Sequence, residues 1–237
     1  MKIQTGIVCL ALYFISFSPV FGQNRITLEL EEFNELHVTG GIDVELIPSG
    51  SKEMSITSRK GFPEQIQVNF KERELHIKVR PRIVKEDEIS IRLPYSQLVK
   101  IDAAAGAVIT SARDMKVKDI DLVASSGGKI ELSLDAQNVN AKVVQVSDIV
   151  LYGTAVSQNV SANTGGNYLA YDLECQDTYV NVSSGSQAKL TASRIIEASA
   201  SSKGFIGYIG DPVRTNLKTS LGGEVLSYKT KADALAY

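Results

Sequence analysis

Few side chains in this 237-residue chain could do chemistry, and the two histidines come first. His37 lies in Leu36-His37-Val38 and His76 in Leu75-His76-Ile77, each on the polar side of an alternating apolar pattern. A metal site would need the two imidazoles to converge together with carboxylates. Nothing in their spacing supplies that, so they read as two separate, exposed strand histidines, and no metal or cofactor is expected. Of the two cysteines, Cys9 sits in the apolar N-terminal run, which leaves Cys175 without an intramolecular partner. It reads as a small buried hydrophobe on a strand, not as a reactive thiol. No serine stands in a nucleophile-elbow setting, and no histidine lies beyond Val99 to activate one, so covalent catalysis has no visible apparatus.

Glycoside cleavage would need a pair of facing carboxylates. Asp102, Asp119, Asp121, Asp135 and Asp148 are the candidates, but they share no recurrent position that would stack them on one face. Asp119-Ile120-Asp121 lacks the glycine and distal glutamate of a calcium loop. Gly127-Gly128 and Gly222-Gly223 are followed by neither a helix nor Gly-Lys-Ser/Thr, so they are not phosphate loops. The expectation is therefore no catalytic residue. The more suggestive feature is a skew of tyrosines toward the C-terminal half: Tyr152, Tyr168, Tyr171, Tyr179, Tyr208 and Tyr228. On one ridge their rings could stack on sugar rings or form a protein-binding strip.

The elements that must position these residues are strands. Apolar content of 43% is ample for a folded core. The formal charge of −2, one unit more negative without Lys2, offers no field for phosphate backbones and excludes nucleic acid as a partner class. Met1-Lys2, the apolar run from Gly6 to Phe21 and a small residue at Gly22 form a signal-peptide pattern, so residues 1–22 are expected to be removed on export. The run is too short, and too broken at Pro19, for an integral membrane protein. Residues 23–98 read as short alternating strands around Leu36, Val44, Ile56, Val68, Ile77 and Ile91, with turns at Gly40-Gly41, Pro48-Ser49-Gly50 and Pro81.

From residue 99 to 237 a repeat appears. Ala104-Ala105-Gly106, Ser125-Ser126-Gly127, Asn163-Thr164-Gly165, Ser183-Ser184-Gly185 and Ser220-Leu221-Gly222 each follow an apolar strand. With Ser147 and Lys203 taken as the remaining corners, the corner positions 106, 127, 147, 165, 185, 203 and 222 are spaced 21, 20, 18, 20, 18 and 19 residues apart. That spacing fits a coil of about three strands of roughly five residues each plus tight corners. Stacked corners bring parallel backbones close, which favours small side chains and glycine. The fold class is therefore all-β: a solenoid of about seven coils, with residues 23–98 continuous with it. The stack should bulge at the two corners without glycine, Ser147 and Lys203.

The stretch Phe33 to Leu46, the strand Ile89 to Pro94, the small-residue-glycine repeats, and Tyr208-Ile209-Gly210-Asp211-Pro212 followed by Ser220 to Val225 resemble the putative auto-transporter adhesin, head GIN domain family of secreted Bacteroidetes proteins. The resemblance covers nearly all of residues 23–237. It implies a right-handed parallel β-helix-like fold, an envelope or extracellular location and an adhesive role, and it brings no catalytic residues. The function expected is thus an exported, non-catalytic module binding a surface glycan or an envelope protein, in the periplasm, on the outer membrane or outside the cell. Two alternatives stay open: a carbohydrate-active lyase or hydrolase on the same scaffold, and an envelope signalling or scaffold protein.

Overall fold

A computed structural model describes residues 24–58, 66–79 and 89–235. The expected leader, residues 1–22, lies outside them. Among the described residues the chain forms β1 (Asn24–Glu29), β2 (Glu35–Thr39), β3 (Asp43–Pro48), β4 (Glu53–Ser58), β5 (Ile66–Lys71), β6 (Glu74–Val79), β7 (Ile89–Tyr95), β8 (Lys100–Ala104) and β9 (Val108–Ser111). There follow β10 (Met115–Ser125), β11 (Lys129–Val144), β12 (Asp148–Asn163), β13 (Asn167–Val182), β14 (Gln187–Thr191), β15 (Ile195–Ala200), β16 (Phe205–Ile209), β17 (Arg214–Thr219), β18 (Glu224–Tyr228) and α1 (Lys231–Leu235).

These strands wind into a β-solenoid of about seven turns. Each turn has two faces. One, the histidine face, runs through β6, β2, β8 and the second halves of β10 to β13 to β15 and β17, all parallel. The other, the tyrosine face, runs through β7, β3, β9 and the first halves of β11 to β13 to β14, β16 and β18, again parallel. Three turns are single 16-residue strands bent near their middle, in place of the three short strands per coil expected from spacing alone. The N-terminal strands are continuous with the stack, as the sequence suggested, but out of chain order. β2 and β3 are inserted between β6–β7 and β8–β9. Antiparallel β5, β4 and β1 close that end.

Alternation along each strand fills the interior with stacked ladders. Leu36, Ile101, Leu122, Ala141, Val160, Val180 and Ala198 lie in register inside the histidine face. Val44, Ile109, Ile130, Ile149, Tyr168, Ala188 and Ile206 do so inside the tyrosine face. All fourteen are buried, and each large aliphatic among them contributes about 1.5–3 kcal/mol. Tyr168 replaces an aliphatic residue in its ladder, and the small Ala188 on the next turn makes room for it.

The repeating corners are pairs of left-handed residues: Ala105/Gly106, Ser126/Gly127, Gln145/Val146, Thr164/Gly165, Ser184/Gly185, Ser202/Lys203 and Leu221/Gly222. This corrects the third corner by one residue, from Ser147 to Val146. Val146 takes φ +55° with its side chain 74% exposed, so strain and not packing is its only cost there. Ser147 occupies the next position, held elsewhere by Ala107, Gly128, Gly166, Ser186, Gly204 and Gly223. At Gly128 a Cβ would lie 2.1 Å from the Ala103 carbonyl oxygen, so that turn takes glycine, while Ala107, Ser147 and Ser186 show that other turns admit a small side chain. The Ser147 hydroxyl lies within hydrogen-bond reach of two carbonyls, Val144 at 2.6 Å and Ala124 on the neighbouring turn at 2.8 Å.

The expected bulges at Ser147 and Lys203 are absent, since both corners keep the paired left-handed geometry. The irregularity lies on the tyrosine face instead, where Val150 pairs with Leu169 but Tyr152 pairs with Asp172. The extra residue in β13 is a β-bulge, which re-aims the side chains around it. Among the described residues the last element is one short helix, α1. Thr230 and Asp233 cap α1 reciprocally, Ala234 is buried, and Lys231 Nζ bonds Asp172 at 2.6 Å. β17 is exposed along its whole length, because no further turn covers it. Among the described residues, no helix is long and apolar enough to cross a membrane.

Candidate functional site

The six tyrosines do not form one ridge, and this corrects the sequence reading. Tyr168 and Tyr208 point inward, at 0% and 6% exposure. Tyr179 is half-buried on the histidine face, between Asn159 and Glu197. Tyr152, Tyr171 and Tyr228 share the outer surface of the tyrosine face. Period-two alternation decides this: residues an even number apart share a side, and the bulge in β13 resets the count between Leu169 and Asp172.

That surface carries an apolar cluster. Leu169, Lys189, Gly207 and Leu226 are in register across β13, β14, β16 and β18, and Thr191, Ile209 and Tyr228 form the next row. Leu169, Phe205, Ile209, Leu226 and Tyr228 are all half-buried. Gly207 is the centre: a Cβ there would meet Tyr171 Oη at 2.5 Å, Tyr228 Cε2 at 3.1 Å and Phe205 Cε1 at 3.2 Å. The missing side chain makes space for three rings, and the Tyr171 ring, delivered by the bulge, leans across it. Tyr171 Oη is buried with no hydrogen-bond partner, and burial, with Tyr228 beside it, pushes its pKa up to about 12. Polar groups at the edge are already paired: Lys129 Nζ with Glu131 at 2.7 Å, Tyr152 Oη donating to Glu131 at 3.3 Å, and Lys231 with Asp172. Phe205 was missed in the sequence, because a lone phenylalanine beside a glycine corner carries no signal of exposure.

The carboxylates singled out earlier are mostly held by side chains one turn away. Asn138 donates to Asp119 at 2.6 Å, Asn140 to Asp121 at 2.8 Å and Asn167 to Asp148 at 2.7 Å. Thr154 reaches Asp135 at 3.4 Å. These turn-to-turn bonds give the aspartates a structural role. The histidines, in contrast, are not separate and not exposed. Parallel pairing of β2 with β6 sets His37 directly beside His76, with ring centroids 4.6 Å apart and planes inclined by 11°. Glu74, Glu35 and Asp102 surround them.

At the bend between the faces lies a cleft of about 490 Å³ floored by Cys175 and edged by Thr154, Glu174, Ser193 and Gly210. Cys175 is 4% exposed and its thiol donates to the Asp177 carbonyl at 3.2 Å. Burial pushes the thiol pKa up to about 11 from an ordinary 9.0, so it is neutral at physiological pH, as expected of a packing residue. A pKa raised in the folded state means stability that is complete below the unfolded value and is lost as pH rises through the folded one. Between pH 9 and 11 the parent should therefore lose about 2–3 kcal/mol that Cys175→Ala does not. Urea unfolding of both proteins across that range checks it.

Several solved structures share the fold. A putative adhesin from Bacteroides fragilis NCTC 9343 superposes with TM-score 0.76 at 19% identity, covering 89% of this chain and 99% of that one. A putative adhesin from Parabacteroides merdae ATCC 43184 gives 0.72 at 16% identity, covering 87% and 96%. A putative lipid binding protein from Parabacteroides distasonis ATCC 8503 gives 0.70 at 16% identity, covering 87% and 97%. No curated protein matches the chain. The family model described as putative auto-transporter adhesin, head GIN domain, matches residues 32–212, from just before the first inserted turn to the bend after β16, and the chain belongs to that family.

Proposed function

We propose that this protein is an exported, non-catalytic binding module that holds a surface glycan on its tyrosine face. The carrying observation is the half-buried ring cluster of Tyr171, Phe205 and Tyr228 around Gly207. A rigid solenoid presents such rings at a fixed strand spacing of about 4.8 Å without needing a pocket, and flat rings stack on sugar faces at small entropic cost. Family membership supports a binding role. The leader pattern at residues 1–22 supports export, with residues 23–237 as the working domain. Against glycoside hydrolysis in the cleft at the bend, Glu174 is the one carboxylate on its wall, where the two-carboxylate mechanism uses a pair.

The test is a glycan array followed by titration of the retained sugar. Tyr171→Ala and Tyr228→Ala should each weaken binding by about tenfold or more, which corresponds to roughly 1.4 kcal/mol. Tyr171→Phe should bind like the parent, because the buried hydroxyl is not available to a ligand. Tyr179→Ala, on the other face, should change nothing. Equal binding by all four variants would remove the tyrosine face from the proposal, and turnover of the polysaccharide would overturn the non-catalytic reading. Capture of an envelope protein with no glycan retained would favour the signalling or scaffold alternative.

A further inference from the structure

We propose that His37, His76 and Glu74 form a site for a divalent transition-metal ion of the zinc type, bridging the inserted β2 turn to β6. The donor set is two imidazole nitrogens and a carboxylate oxygen, all within 4.8 Å of one another. Zinc holds nitrogen at about 2.0–2.1 Å in tetrahedral geometry, which draws its donors to about 3.4 Å from each other. Binding would turn the two rings, now stacked 4.6 Å apart and inclined by 11°, out of their stack so that one nitrogen of each points at the ion. Imidazole selects zinc, copper or nickel over calcium and magnesium, which take oxygen donors.

Three further observations point to a cation. The Asp102 carboxylate lies 3.3 Å from His37 Nδ1, a position that favours the tautomer in which Nδ1–H donates to it and Nε2 keeps a free lone pair. This is the carboxylate–histidine arrangement that orients metal-ligating rings. His37 Nε2 is buried and has no hydrogen-bond partner, its nearest carboxylate oxygen being Glu35 Oε2 at 3.7 Å. Finally, three carboxylates, Glu35, Glu74 and Asp102, gather around the two rings, with Lys100 at 3.2 Å from Glu35 and Lys71 opposite Glu74. His76 Nε2 donates to Glu74 at 2.9 Å, so these two donor atoms already lie together, and an ion bound there would take the place of the Nε2 proton. Glu35 or a water would fill the fourth position.

Tag-free, chelator-treated protein should bind one zinc ion per chain in calorimetry, with Kd micromolar or tighter, and cobalt(II) should give the visible absorption of a tetrahedral site. Calcium and magnesium in millimolar excess should not compete. His37→Gln and His76→Gln should each lower affinity by about 100-fold, and Asp102→Asn by about 10- to 100-fold. Carrying Cys175→Ala throughout removes the one buried thiol as a rival donor. Because His37 and His76 are the chain's two histidines, a second readout needs no histidine substitution. Zinc should protect both from diethylpyrocarbonate in the parent protein, as read by mass spectrometry. Absence of saturable zinc binding, undiminished binding in the double histidine variant, or labelling unaffected by zinc would each overturn the site. None of these outcomes bears on glycan binding by the opposite face.

Discussion

Gly153→Ala should be among the most damaging single-methyl additions the protein can receive, lowering stability by about 2–6 kcal/mol. Two costs combine there. Gly153 has φ +102°, a region that L side chains rarely adopt, and imposing it on alanine costs about 1–3 kcal/mol. In addition, the new Cβ would lie 2.1 Å from the Leu134 carbonyl oxygen on the turn below, and rigid backbone must shift to relieve it, at a further 1–3 kcal/mol or so. For a chain of this size about 2–4 °C is lost per kcal/mol, so the thermal midpoint should fall by roughly 10 °C. Gly106→Ala is the control. It is left-handed at φ +83° but has nothing within 4 Å of its Cβ position, so its loss should stay near 1 kcal/mol. Equal effects of the two substitutions would show that turn-to-turn contact is not what constrains Gly153.

Gln158→Leu should cost about 3 kcal/mol although it exchanges a polar for an apolar residue in a core. Gln158 is fully buried and is the hub of an internal network. Its Oε1 accepts from Tyr168 Oη at 2.7 Å, and its Nε2 donates to Thr178 Oγ1 at 2.9 Å and to the Thr191 carbonyl at 3.1 Å. Removing the amide strands the Tyr168 hydroxyl in apolar surroundings, and each orphaned buried group costs about 1–3 kcal/mol. Tyr168→Phe alone strands only Gln158 Oε1 and should cost less. The pair Gln158→Leu with Tyr168→Phe should cost less than the sum of the two, by about 0.5–3 kcal/mol of coupling. Urea unfolding of the four proteins measures this directly, and strict additivity would show that the hydrogen bond is not the source of the effect.

Several features were legible in the residues themselves. Alternation placed the strands around Leu36, Val44, Ile77 and Ile91, and the small-residue-glycine corners announced stacked parallel turns. The third corner was misplaced by one residue because exposed Val146 tolerates a conformation for which glycine is the usual marker. The tyrosine ridge was misread for a different reason. Alternation is a count, and the inserted residue in β13 shifts it by one, which no residue type signals. Gln158 gave no warning of burial, because an isolated glutamine in a strand is ordinarily solvated.

Local pattern alone determined that this protein is a stack of parallel strands with tight, small-residue corners, because those properties depend on side-chain size and on a period of two. It also determined that Cys175 is a packing residue. The histidine pair was decided only by the tertiary structure. His37 and His76 meet because β2 is inserted beside β6, out of chain order, and register then forces their rings together. The order in which turns stack is set by long-range packing, and no local run of residues encodes it. The same holds for the ring cluster over Gly207, whose members come from three different turns and meet only once the coil is wound.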